Sequence, residues 1–113
     1  MARRDLTGAV DFAVLDRSTG GDDAVAEEIL ELFVEQAGLW SRLLDDPEAQ
    51  RDACHTIRGT AAGLGAHDLA EACAAAELDP IPSRIERVRD ALDRALADVA
   101  AWRHELMLKS LKS

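Results

Sequence analysis

The chain is short of most things that mark a special class of protein. It has no tyrosine, two tryptophans and two phenylalanines, an aromatic share of 4% over 113 residues. That rules against a large aromatic core. With Ala and Leu abundant, it points to helices packed closely through small side chains. Cys54 and Cys73 are the only cysteines, and no Cys-x-x-Cys or His-x-x-x-His spacing supports a metal site. In a cytosolic helical chain they read as two buried thiols in preference to a disulfide. No apolar run approaches the roughly 20 residues of a membrane span. The opening "MARRDLTGAVDF" has two arginines but neither an apolar stretch nor a cleavage site. It makes a poor signal peptide, so the expected location is cytoplasmic. Cations are outnumbered, with 13 Lys and Arg against 22 Asp and Glu, a formal net charge of −9. Such a surface argues against nucleic acid, whose phosphates reward clustered Lys and Arg.

What is present is helical periodicity cut by turns. No internal repeat or low-complexity linker occurs. The chain is long enough for one domain over 1–113 with a single modest core, expected to be monomeric. Turn signals delimit helices near 10–17, 23–45, 47–64, 68–78 and 84–109. Gly20 and Gly21 make the first turn, and Asp22 or Asp23 caps the helix that follows. Its apolar stripe runs Ile29, Leu32, Phe33, Gln36, Trp40, Leu43, Leu44. Asp46 is the expected N-cap of the third helix, with Pro47 at the first helical position. Asp68 with Glu71, and Ser83 with Glu86, have capping-box spacing for the last two helices. Ile85, Val88, Leu92, Ala95, Val99, Trp102 and Leu106 form a seam that packs nearly parallel or antiparallel to its neighbours. The expected fold is all-α, an up-down-up-down four-helix bundle preceded by a short helix.

One stretch resists a purely structural reading. "CHTIRGTAAGLGAHDLAEACAAAE" is helical almost throughout, yet carries Gly59, Gly63 and Gly65. Each glycine inside a helix costs about 1 kcal/mol relative to alanine. On a wheel, Cys54, Ile57, Ala61 and Leu64 share the core face, and His55 lies about 140° from its centre. Arg51, Arg58, Gly59 and Ala62 stand at i−4, i+3, i+4 and i+7 from His55, the positions that meet it on the helix surface. The imidazole is therefore exposed, flanked by cations, with almost no side chain one and two turns along. This arrangement suits a histidine that accepts a phosphoryl group from a large partner. Arg58 and Arg51 would steady the anion, and Gly59 and Ala62 would keep the approach open. Gly63 would allow close backbone packing or approach, and Gly65 would end the helix in a left-handed cap.

The same residues resemble the signature of the histidine-containing phosphotransfer (HPt) domain. His55, Ile57, Arg58, Gly59, Thr60, Ala61, Ala62, Leu64, Gly65 and Ala66 match it in order and without gaps, and Leu69, Cys73 and Glu77 continue its next helix. The resemblance implies that His55 is the phosphoacceptor and Arg58 the basic residue beside the phosphoryl group. It also implies that Glu77 hydrogen-bonds and orients the imidazole. Its partners would be receiver domains of a hybrid sensor kinase and a response regulator, in a mainly bacterial pathway. Mg²⁺ would belong to the receiver, and this chain would need no cofactor or metal of its own. Receivers would dock on apolar surface near the histidine, with Phe12 and Leu15 as candidates.

His67 and His104 lack such surroundings and read as ordinary helical residues. The competing readings are a helical interaction module that never carries phosphate, and a fragment of an ATP-dependent kinase. The second of these has no Gly-rich nucleotide loop to support it.

Overall fold

Residues 8–112 are described by a computed structural model, and they form helices joined by short turns. The helices are α1 (Phe12–Thr19), α2 (Asp23–Leu43), α3 (Gln50–Leu64), α4 (His67–Leu78) and α5 (Pro82–Lys112). No strand occurs among the described residues. The segment read for a signal peptide lies, through residue 7, outside them. α2 and α5 are joined by Arg103 to Glu27 at 2.7 Å, Lys109 to Asp23 at 3.2 Å, and Arg89 to Asp45. As α5 advances along these pairs α2 recedes, so the two helices run in opposite directions. α5 is about 46 Å long at 1.5 Å per residue, nearly the whole 48 Å long axis of the molecule.

The ends of the helices follow local chemistry, with three departures from the sequence reading. Asp11 and Asp22 cap α1 and α2 by accepting from Ala13 N at 3.1 Å and Ala24 N at 2.9 Å. Asp46 caps a turn and not α3 itself. Its carboxylate accepts from Glu48 N, and its carbonyl accepts from Ala49 N and Gln50 N, so the α-helix starts only at Gln50. Asp68 sits inside the first turn of α4, behind an Ala66 N-cap without a side-chain bond, so no capping box forms with Glu71. Ser83 likewise falls inside α5. Pro82 takes the first helical position, where its missing N–H costs nothing, and the Ile81 carbonyl receives Arg84 N and Ile85 N.

The core places every helix in register. α5 buries Ile85, Val88, Leu92, Ala95, Val99 and Trp102. α2 buries Ala26, Leu30, Phe33, Ala37 and Trp40, with Leu44 at its C-cap, so Phe33, Trp40 and Leu44 of the stripe read from the sequence are core, Ile29 and Leu43 are only partly buried beside it, and Leu32 is left 56% exposed. The cause is a second set of 4-3 spacings one residue ahead (Val25, Ile29, Leu32, Gln36, Leu39, Leu43). Packing selects the seam containing Ala26 and Ala37, whose methyls let neighbouring helices approach closely. α1 belongs to the core as well. Phe12 stacks on Trp102 with ring centroids 4.9 Å apart, and Leu15 is buried. Ahead of α1, Asp98 in the core accepts from Val10 N at 3.2 Å, and Asp11 N donates to the Gly65 carbonyl at 2.9 Å. Among the described residues, no helix is long and apolar enough to cross a membrane.

Candidate functional site

The site is built on the face of α3 that the core leaves over. Cys54, Ile57, Ala61 and Leu64 are buried against the other helices, and this rotation turns the His55 side chain outward, 69% exposed. α4 packs beside α3 and delivers Glu77, one residue before its end and only 17% exposed. Glu77 is the hub. Its Oε1 lies 2.8 Å from His55 Nδ1, its Oε2 lies 2.7 Å from Arg58 Nε, and its carbonyl oxygen accepts from Arg51 Nε at 2.9 Å.

This geometry settles which imidazole nitrogen is which. A carboxylate only accepts, so at 2.8 Å Nδ1 is the nitrogen that donates to Glu77, and Nε2 lies on the opposite side of the ring, away from Glu77. Arg58 Nη2 approaches the same Nδ1 only at 3.4 Å, where a second donor meets a nitrogen already donating. Arg58, 44% exposed, is thus held by the carboxylate and not by the ring. Arg51 does not face the imidazole. It satisfies an orphan carbonyl at the end of α4 and ties that end to α3.

The glycines divide into two kinds. A Cβ on Gly59 or Gly63 would meet nothing within 4 Å, so neither serves close packing inside this chain. For Gly63 this removes the internal-packing reading and leaves the open surface. Ala62 is exposed beside them. Gly65 differs: at φ 79° it caps α3, and a Cβ there would run into the Asp11 carbonyl and press on Val14 at 3.0 Å. It is the seat of the segment leading into α1.

Beneath the site, Cys54 and Cys73 are free and buried. The neighbouring Cys54 thiol, followed by burial, pushes the Cys73 thiol up, well above the ordinary range. Among the described residues no group of three or more His, Cys, Asp or Glu could hold a metal ion.

Two features escaped the sequence reading. Phe12 and Leu15, taken as docking residues, are core and offer a partner nothing. Open apolar surface lies instead at Leu78, directly after Glu77, and in a groove between α2 and α3 lined by Leu39 and Leu43 and including Thr56, the neighbour of His55. The signal for the groove was the second 4-3 stripe of α2.

A family model described as the Hpt domain matches residues 24–102. The crystal structure of the histidine phosphotransferase ShpA from Caulobacter crescentus is similar over 92% of this chain and 99% of its own, at 48% identity and a TM-score of 0.83. Among curated proteins no relative matches.

Proposed function

The chain belongs to the Hpt domain family, whose members work with receiver domains in two-component phosphorelays, and we propose that it relays a phosphoryl group between receiver aspartates as phosphohistidine at His55. The observation that carries this reading is an exposed imidazole with Nδ1–H held by Glu77 and Nε2 turned outward. Nε2 attacks the phosphorus of a receiver's aspartyl phosphate. The P–N bond forms as the P–O bond to the aspartate breaks, and the aspartate leaves as carboxylate. No proton is lost from Nε2, so the product is a phosphoimidazolium whose positive charge faces the Glu77 carboxylate. The reverse step hands the group to a second receiver. Any Mg²⁺ the transfer requires is carried by the receiver.

Roles follow from position. Glu77 fixes the tautomer and the orientation of the ring, so that Nε2 faces the partner. Arg58 holds Glu77 in the resting chain and lies one helical turn from His55, close enough to swing its guanidinium onto the phosphoryl group. Arg51 acts through Glu77 by anchoring the end of α4. Gly59, Ala62 and Gly63 keep the approach clear. The reading includes a monomeric, up-down-up-down bundle acting in the bacterial cytoplasm, without nucleotide-dependent kinase activity.

The test is transfer from phosphorylated receivers in Mg²⁺ to the wild-type chain and to His55→Ala. Acid-labile, base-stable label on the wild type alone is the expected result. Absence of label from a broad receiver panel overturns the relay and leaves a helical interaction module.

A further inference from the structure

The last turn of α4 carries Glu77, yet its own sequence gives it no device to end on. No glycine closes it in the left-handed conformation that Gly65 gives α3, and no basic residue stands in it. Asp79 simply leaves the helix in extended backbone. The final carbonyls of a helix need donors from elsewhere, and here two arginines of other helices supply them. Arg84 Nη1 donates to the Ala75 carbonyl at 3.1 Å and reaches the Asp79 carbonyl at 3.4 Å, while Arg51 Nε donates to the Glu77 carbonyl at 2.9 Å. Arg84 thus brackets Glu77, two residues to either side.

Within α5 the position of Arg84 is unfavourable. It lies in the first turn, at the positive end of the helix dipole, where an acidic residue is preferred and none stands. The side chain is half-buried, and its bonds go to backbone carbonyls only. What it faces is the negative end of α4, which favours a cation.

Resting on the phosphorelay reading, we propose that Arg84 is a positioning residue for the phosphoacceptor. By holding the chain on both sides of Glu77 it fixes the carboxylate under His55 Nδ1, and with it the direction in which Nε2 faces. The 2.8 Å contact between Glu77 and Nδ1 joins two helices, and such a bond weakens steeply once its geometry is lost. Without Arg84 the last turn of α4 frays, and the carboxylate no longer holds the ring in one orientation. Arg51 anchors the same turn from α3, so the end of α4 is fixed from both neighbouring helices.

The experiment compares the full chain as wild type, Arg84→Ala, Arg84→Lys, Glu77→Ala and the Arg84→Ala/Glu77→Ala double variant. One readout is transfer to His55 from phosphorylated receivers in Mg²⁺. The other is the nitrogen NMR signals of the imidazole at about pH 9, where the ring is neutral. These need no receiver and tell a protonated ring nitrogen from an unprotonated one. Arg84→Ala lowers transfer about tenfold and moves His55 from the Nδ1-protonated form toward a mixture of tautomers. Arg84→Lys, which still offers a cation to the carbonyls, recovers most of both. With Glu77 already replaced, the Arg84 substitution changes neither readout further, because the carboxylate it positions is gone. Arg87→Ala, exposed and three residues on in α5, matches the wild type. If Arg84→Ala loses the helical circular dichroism, Arg84→Gln takes its place with the same expected outcome. A lower Tm with wild-type transfer and wild-type ring signals makes Arg84 a helix cap alone and overturns the assignment. So does an equal loss with and without Glu77. No transfer to the wild type from any receiver overturns the relay, and the ring signals then decide by themselves whether Arg84 positions His55.

Discussion

At His55 the ring is set by one carboxylate, and the consequences can be read atom by atom. Glu77→Ala removes the acceptor for Nδ1–H and the partner of Arg58 together. A hydrogen bond involving a charged group is worth about 1.5–3 kcal/mol, so transfer slows by at least roughly tenfold. Glu77→Gln keeps an oxygen for Nδ1–H but not the charge facing the phosphoimidazolium, and recovers part of that loss. Stopped transfers at short times measure both variants, and a wild-type rate in Glu77→Ala would deny the carboxylate its role. Arg58→Ala removes the cation nearest the imidazole. The expected outcome is a phosphohistidine lifetime shortened by about tenfold, for the same energetic reason, followed as decay of label. An unchanged lifetime assigns Arg58 to holding Glu77 alone.

Among the elements, α3 shows function and stability pulling apart. Gly59 sits in a helix interior with nothing within 4 Å of where a Cβ would be. Gly59→Ala should therefore raise stability by up to about 1 kcal/mol, seen as a higher Tm. Gly59→Leu should fold equally well and block transfer, because its side chain occupies the approach to the imidazole. Normal transfer in that variant would sink the open-access account. Gly65 behaves oppositely. Alanine there takes a left-handed conformation costing roughly 1–2 kcal/mol and drives its methyl against the Asp11 carbonyl. A marked fall in Tm is the expected result.

For the whole molecule the question is what holds five helices as one unit. Asp98, buried in α5, accepts from Val10 N and so locks the chain ahead of α1 into the core. Asp98→Ala leaves a buried donor short of its acceptor, at about 1–3 kcal/mol, and lowers the denaturant midpoint. Cys54 and Cys73 report on the same cooperativity. Both are buried between α3 and α4, so a thiol reagent modifies them only as fast as the bundle opens. Prompt labelling of the native chain at both sites would mean that α3 and α4 separate locally.

What the sequence determined by itself is what depends on neighbours along the chain. The breaks at Gly20–Gly21 and Gly65, the 4-3 seam of α5, and the exposure of His55 all rest on helical spacing, which is local geometry. So does the placing of Arg58, Gly59 and Ala62 beside it, whereas the side chain of Arg51 is drawn away to the Glu77 carbonyl. What only the tertiary structure decided depends on contacts between helices. α2 carries two apolar stripes one residue apart, and close packing through Ala26 and Ala37 chose between them, leaving Leu32 and Leu39 outside. Phe12 reads as surface until Trp102 stacks on it. The bonds that draw His55, Arg58 and Arg51 onto Glu77 span 19 to 26 residues of chain. No local pattern encodes which carboxylate will lie beside the imidazole, because that is settled by the core that packs α3 against α4.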